Sequence, residues 1–571
     1  MWSLARRPPR AAARTPTRRA LAAATLCAAL ALAGAVATGQ APPAPPAPAF
    51  FDDDPIAREP ETQDASGAKP FPIELRWDIT YNLFDNPGYG RPAPRARDLN
   101  TIDEVPDSSW FTNRVLARPI SIDEITRGPL TGSGPAPGGL TVIASKSVGD
   151  APGFVARDAA GQVWFVSFDA AGHPEAATAA ILVANKLFWA LGYWQVENHL
   201  TTIRPDELVL ADSATWRPPS GHARRMRSSD LEQVLRRAHR SADGSYRAVA
   251  ARGLSGKILE GFQYFGTRPD DPNDVVPHEH RRSLRALRVF GAWTNLVDMK
   301  AGNTLDVVVR DNGRGIVRHY LQDVGSTFGT SANGPREWSE GWEYLIEAGK
   351  AWKRLVTLGF YVEPWQTARY TEFPAVGRFE GDAFDPRAWR PRAPTAAFLQ
   401  MRDDDAFWAA RRVAAFTDEM IRAAVATGGI TDPAAARYLA DVIGRRRDKI
   451  ARTYLPAVNP LVDFALDDAG RLTFDNAAVR AGVAQAPRGG YATRWFHFDN
   501  KTASARAFGD AAAREGTVLA APAGLPTADG RFVKVEVSAV DPPEVSWSRP
   551  VSVYFKRTDG GWKLVGLERL P

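Results

Sequence analysis

The densest run of residues able to do chemistry is Asp298-Met299-Lys300-Ala301-Gly302-Asn303, answered downstream by Asp323-Val324-Gly325. An Asp can accept or orient the proton of an attacking hydroxyl, a Lys two positions on can neutralise a phosphate, and an Asn five positions on offers an amide oxygen to a metal ion. A second Asp followed by Gly can hold the ion that bridges nucleotide phosphates. Together these are the parts of phosphoryl transfer, with Asp298 and Lys300 at the reacting groups. Asn303 and Asp323 would hold Mg (or Mn) with ATP or another nucleotide. Singly, each residue is commonplace, because Asp and Asn five apart usually cap turns and helices. The ordered set carries the expectation.

Positioning such a set requires a turn-back between the two Asp residues. The twenty-five positions from Asp298 to Asp323 suit a strand from Thr304 to Val309, a turn at Asp311-Asn312-Gly313 and a strand from Ile316, which would put both carboxylates at one end of a hairpin. Before it, a helix is predicted from Glu279 to Leu296, with Leu284, Leu287, Phe290 and Trp293 along an apolar stripe and Arg281, Arg285 and Arg288 along a polar one. Further upstream, Leu140 to Ile143 reads as a strand, Lys146 to Gly153 as a Gly-bearing loop that includes Gly149, and Phe154 to Phe168 as a hairpin. A helix should follow, with Pro174 in its first turn and Glu175 at its positive end, stopping at Gly192. Helical patterns dominate from Trp342 to Tyr454. Pro456 and Pro460 then break them, and 461–571 reads as a small antiparallel β-sandwich, an accessory module. The expected class is α+β.

The Asp-x-Lys-x-x-Asn run with Asp-Val-Gly resembles the catalytic and metal-binding loops of the protein-kinase superfamily. Three longer phrases point the same way: Val105 to Arg114, Asp270 to Asp274 with Pro277 to Arg282, and His319 to Thr327. They resemble a family of exported bacterial proteins distantly similar to the toxin-type and spore-coat-type atypical kinases, over roughly Trp77 to Pro460. The resemblance implies a two-lobed kinase-like domain at 139–458, with a small β-rich N-lobe and a mainly helical C-lobe, and no particular substrate. It implies that the loop bearing Lys146, Gly149 and Gly153 covers phosphates, and that Glu175 lies on the helix that pairs with a strand lysine. One position departs from the pattern: Ser167 stands where that lysine is expected. Either Lys146 or Arg157 supplies the missing charge, or the domain is a pseudokinase-type scaffold.

The first forty-one residues read as a secretory leader, with a basic start, an Ala/Leu-rich run and small residues before a cut after Ala37 or Ala41. The Sec route is favoured, although Thr17-Arg18-Arg19-Ala20-Leu21 resembles a twin-arginine signal. The leader's six arginines match the formal net charge of +6, so the rest of the chain is near neutral and carries no basic nucleic-acid footprint. Cys27, the single cysteine, lies in the leader, which leaves no disulfide and no thiolate ligand. Residues 42–69 read as a Pro/Ala-rich and polar linker, and 70–138 as an irregular, aromatic-rich extension. With the leader cut, no membrane span is expected, and the partners would be a nucleotide and an unknown acceptor or envelope component. A competing reading makes His278 and His280 ligands of a metal-dependent hydrolase, with His319 nearby. Asp270, Asp271 and Asp274 could in principle hold calcium, or simply form a turn.

Overall fold

Alternation of apolar and polar residues shapes the first half of the molecule. The computed structural model describes residues 47–146, 151–218 and 222–570; the leader, with Cys27, and the loop residue Gly149 lie outside them. Phe50–Pro571 is one unit, and it is α+β with five sheets among the described residues.

Strands β1 (Leu140–Ser145), β2 (Gly153–Arg157), β3 (Val163–Phe168), β4 (Asn198–Ile203), β5 (Leu208–Trp216), β6 (Arg224–Arg225) and β7 (Tyr246–Arg252) form one sheet in the order β4-β7-β3-β2-β1-β5-β6. All its neighbours are antiparallel except β1 and β5. Val142, Phe154, Ala156, Val166, Phe168 and Ala250 line its fully buried face, as a period of two demands of a sheet covered on one side. Helix α1 (Leu75–Phe84) precedes the sheet, and α2 (Ala176–Leu191) connects β3 to β4. Buried almost throughout, α2 is rich in Ala and Leu because its neighbours leave little room for larger or charged groups.

A second sheet, β10-β9-β8, contains β8 (Lys257–Ile258) and the hairpin β9 (Thr304–Asp311) to β10 (Arg314–Leu321). Asp311 pairs with Arg314, so Asn312 and Gly313 form a two-residue turn, with φ of 48° and 82°. Asn-Gly is the dipeptide that tolerates both positive φ values in such a turn. The little ribbon β11 (Thr330–Ser331) to β12 (Gly334–Pro335) follows.

The helix expected from Glu279 to Leu296 is broken. A 3-10 turn at His278–His280 leads into α3 (Arg282–Arg285) and then α4 (Leu287–Thr294), which ends at Asn295 in the left-handed region. Of the arginines in the expected polar stripe, Arg281 and Arg285 are fully buried, as is the neighbouring Arg282, and Arg288 is half-buried. Arg282 reaches Asp103, Asp404 and Asp405 at 3.1, 3.1 and 2.9 Å, and Arg285 reaches Asp405 at 3.1 Å. Asp404 and Asp405 open α5 (Asp403–Ala414), which packs on α7 (Pro433–Tyr454), as does α6 (Asp418–Ala426). Phe407, Trp408, Val413, Leu439, Val442 and Ile443 fill their core, and the Trp293 indole donates to the Ile443 carbonyl at 3.0 Å.

Two stretches are more ordered than their composition suggests. Residues 50–69 form a strap along β8 and β10: Ala65 and Ala68 are buried against Leu259 and Val317, and Ala65 N–H donates to Gly315 O at 2.8 Å. In 70–138, expected to be irregular, α1 appears with its polar side inward. Asp78 and Asn82 are buried, while Trp77 and Phe84 are 73% and 62% exposed. An inverted face leaves no apolar periodicity to read.

After α7 the chain turns to strands at Leu461. Sheet β13-β14-β17 contains β13 (Leu461–Leu466), β14 (Arg471–Asn476) and β17 (Val518–Ala520). Sheet β16-β15-β18-β19-β20 contains β15 (Tyr491–Asp499), β16 (Ser504–Arg514), β18 (Phe532–Ala539), β19 (Val551–Thr558) and β20 (Gly561–Arg569), all antiparallel. One apolar core runs from the helices into these sheets, and Val458 and Asn459 at the junction are buried. Arg569 sits over the Phe407 ring at 4.5 Å and donates to Leu461 O at 3.0 Å. Among the described residues no helix is long and apolar enough to cross a membrane.

Candidate functional site

The hairpin closes the twenty-five-residue excursion by main-chain bonds. Thr304 pairs with Leu321, and beyond that pair the Asn303 carbonyl accepts from both Gln322 N–H (3.1 Å) and Asp323 N–H (3.0 Å). The Asn303 side-chain amide donates to the Asp298 carbonyl at 2.6 Å, and Asn303 N–H donates to Lys300 O at 3.0 Å. Asp298, Lys300, Asn303 and Asp323 are therefore linked by consecutive hydrogen bonds. With its amide nitrogen committed to Asp298, Asn303 keeps its amide oxygen as an acceptor.

Asp298 and Lys300 form an ion pair at 2.9 Å. Burial pushes the Asp298 carboxyl up, but the cations Lys300, Arg336 and Arg392 outweigh it and hold the group below its ordinary value. Asp323 is exposed, with one carboxylate oxygen accepting from Gly325 N–H at 3.0 Å. Gly325 is required by a close approach: a Cβ there would lie 2.7 Å from Ile181 of α2. The chain after α2 clamps the same corner, since Gln195 donates to Leu321 O at 3.0 Å and Leu321 N–H to Trp194 O at 3.1 Å. Asp78 adds a contact from α1, accepting from Ala301 N–H at 3.5 Å.

In the seven-stranded sheet, Lys146 follows β1 and places its ammonium 3.1 Å from the Ser167 hydroxyl of β3. Gly153 makes room for it, because a Cβ would lie 2.8 Å from Lys146 Cδ. Arg157 is elsewhere, donating to Gly161 O at 2.7 Å. Glu175 falls just outside α2 at its N-cap, with φ of 67°, and its carboxylate accepts from Thr431 N–H at 2.9 Å. Arg247 sits close by, joining Thr178 Oγ1 (2.8 Å) to Gly429 O (2.9 Å).

The donor set suits a hard, octahedral ion. Mg binds through one or two protein oxygens and completes its shell with phosphates and water, and Asp323 with Asn303 offers one carboxylate and one amide oxygen. Among the described residues there is no group of three or more His, Cys, Asp or Glu able to hold a metal by themselves.

The histidines serve a buried network. His278 has both ring nitrogens engaged, by Gln263 O and by Asp274 at 2.8 Å; His280 faces Arg285 at 3.1 Å. His319 pairs with Asp306 at 2.7 Å and stacks on Trp110 at 3.5 Å, and Arg281 lies 4.9 Å from the same indole. His278 and His280 thus do not converge on one point. Nor do the acidic residues: Asp270 pairs with Arg268 at 3.2 Å, Asp274 with His278 and Arg281, and Asp271 caps Asn273 N–H. The three long phrases singled out in the sequence meet in this network, directly behind the β9–β10 hairpin.

Arg336 and Arg392, which flank Asp298, had no sequence signal, because they come from an irregular segment with no motif spacing. No family model, curated protein or solved structure matches this chain.

Proposed function

We propose that the chain is an exported phosphotransferase of the kinase-like type, acting through a metal–nucleotide complex on an acceptor yet to be identified. The observation that carries this reading is that Asn303 joins the other two, its side-chain amide donating to the Asp298 carbonyl and its own carbonyl accepting from Asp323 N–H. Asp323 and the Asn303 amide oxygen would hold Mg or Mn, which supplies charge neutralisation at the nucleotide phosphates. Asp298 would orient the acceptor hydroxyl, and Lys300, already paired with it, would neutralise developing phosphate charge. Lys146 would do the work of the missing strand lysine, since its ammonium stands at the Ser167 hydroxyl. Supporting a two-lobed arrangement are the order of strand, loop, hairpin and helix upstream and the helical α3–α7 region around the hairpin. Export is supported by the composition of the leader.

A second reading, a pseudokinase-type scaffold of the envelope, draws on Glu175. Its carboxylate is committed to Thr431 N–H, whereas an active kinase uses that glutamate to hold the phosphate-binding lysine.

Thermal-shift measurements on the chain starting near Pro42, with ATP or GTP and with Mg or Mn, separate the readings. Stabilisation that needs both nucleotide and metal and vanishes in Asp323→Ala supports the phosphotransferase. An equal response in wild type and Asp323→Ala overturns the assignment of Asp323, and no response to any pair favours the scaffold.

A further inference from the structure

A second site lies in the helical region, independent of the phosphotransfer reading. Arg446, on α7, is only 5% exposed. Its guanidinium rests against the rings of Phe384 (3.8 Å) and Phe379 (4.6 Å) and makes no hydrogen bond or ion pair with any described residue; its Nε is buried without a partner. Burial pulls its pKa down to about 9 even though Glu380 and Tyr370 favour the charge. An unpaired buried guanidinium is costly and therefore rare.

The same side chain walls a narrow, open-mouthed cleft with about 20 Å3 of internal space, shared with Trp342, Tyr370, Trp389 and Asn295. Its depth has room for a small polar group rather than a whole ligand, and its lining mixes aromatic rings with polar side chains. The other charged groups of the wall are committed. Glu380 accepts from Ala383 N–H at 2.7 Å, Asp385 accepts from Arg387 N–H at 2.9 Å, and Arg378 donates to the Arg336 carbonyl and covers the Trp338 ring at 4.1 Å. Asn295 Oδ1 accepts from the Trp389 indole at 2.9 Å. Of the charged side chains lining the cleft, Arg446 is the one that makes no hydrogen bond with any described residue.

We infer that this cleft binds the oxyanion of a small molecule, a carboxylate or a phosphate, with Arg446 as its charge partner and the surrounding rings as its apolar wall. A guanidinium is the side chain best shaped for two parallel bonds to either group.

The test is calorimetry and thermal shift on the exported chain with inorganic phosphate and, separately, benzoate, against chloride at matched ionic strength. Wild type should show saturable binding of at least one anion and a Tm rise of about 2 °C or more near saturation. Arg446→Met should lose that response and, freed of an unpaired charge, keep or raise its Tm in anion-free buffer. Ala388→Trp, an exposed position at the cleft, should block entry while leaving Arg446 in place, so the response is lost without a change in the anion-free Tm. Asp323→Ala should retain it, which distinguishes this cleft from a nucleotide site. Response to phosphate alone or benzoate alone identifies the oxyanion. The inference is overturned if wild type responds to neither anion, or if the response survives in Ala388→Trp or Arg446→Met.

Discussion

Arg282 and Arg446 are both buried in the helical region, and they differ in everything but burial. Around Arg282 three carboxylates gather within 3.1 Å, and Asp405 is shared with Arg285. Burial disfavours the Arg282 charge, yet Asp103, Asp405 and Asp404 outweigh it and raise its pKa. Around Arg446 there are rings and an open cleft, and its pKa falls. A buried cation whose carboxylates come from the same chain holds segments together; one whose partner is missing is held ready for something that arrives.

The sharpest way to break the comparison is to strip the scaffold cations of their partner. Asp405→Ala leaves Arg282 and Arg285 short of a shared carboxylate and should cost about 3–5 kcal/mol, read as a fall in the denaturant midpoint. If the loss is as small as that of an exposed Asp, the network is not holding the fold.

Removing a group held for ligand should leave the fold alone and abolish a response. Asp323→Ala should unfold at the wild-type temperature without ligand, and should forfeit the stabilisation of about 2–3 kcal/mol that nucleotide with Mg gives at a hundredfold excess over Kd. Thermal shift reads both quantities in one titration.

Acid sharpens the comparison further. Burial raises the Glu104 carboxyl, but Arg411 and Arg412 overrule it and hold its pKa at about 2, against an ordinary 4.5. A lowered folded-state pKa means the stability is fully present above about pH 4.5 and is lost as pH falls toward 2. The loss should be about 3 kcal/mol, and Glu104→Gln should flatten urea-midpoint profiles across that window.

The smallest effects concern the sheet. Lys146→Ala should weaken metal–nucleotide binding by about tenfold, or roughly 1.4 kcal/mol. Ser167→Lys should change it less, because the new ammonium would arrive beside one already in place. Restored tight binding in Ser167→Lys, with Lys146→Ala unaffected, would return the phosphate-binding role to the β3 position.

Local patterns announced the hairpin before any tertiary information. Alternating apolar residues from Thr304 to Leu321 around Asn312-Gly313 leave few other conformations, and the turn dictates the register that carries Asn303 to Gln322 and Asp323. The composition of 461–571 foretold strands for the same reason. Glu175 was legible as a helix-start residue but not as a partner of Thr431, 256 positions away. The inward face of α1 was hidden because Asp78 looks like a solvent-facing residue until Gln263 and Ala301 are brought against it.

Arg445-Arg446-Arg447 shows where local information ends. Three identical residues follow one another on α7, and a helix turns each about 100° from the last. Arg445 extends toward Asp382 at 3.7 Å and remains partly exposed, Arg447 pairs with Asp418 at 2.7 Å, and Arg446 faces Phe379 and Phe384 without an ion pair among the described residues. Residue type and spacing were enough to specify that all three would be cationic and helical. Which one would be buried without a counter-ion depended on the packing of 370–389 against α7, because burial and charge pairing arise from segments far apart in sequence.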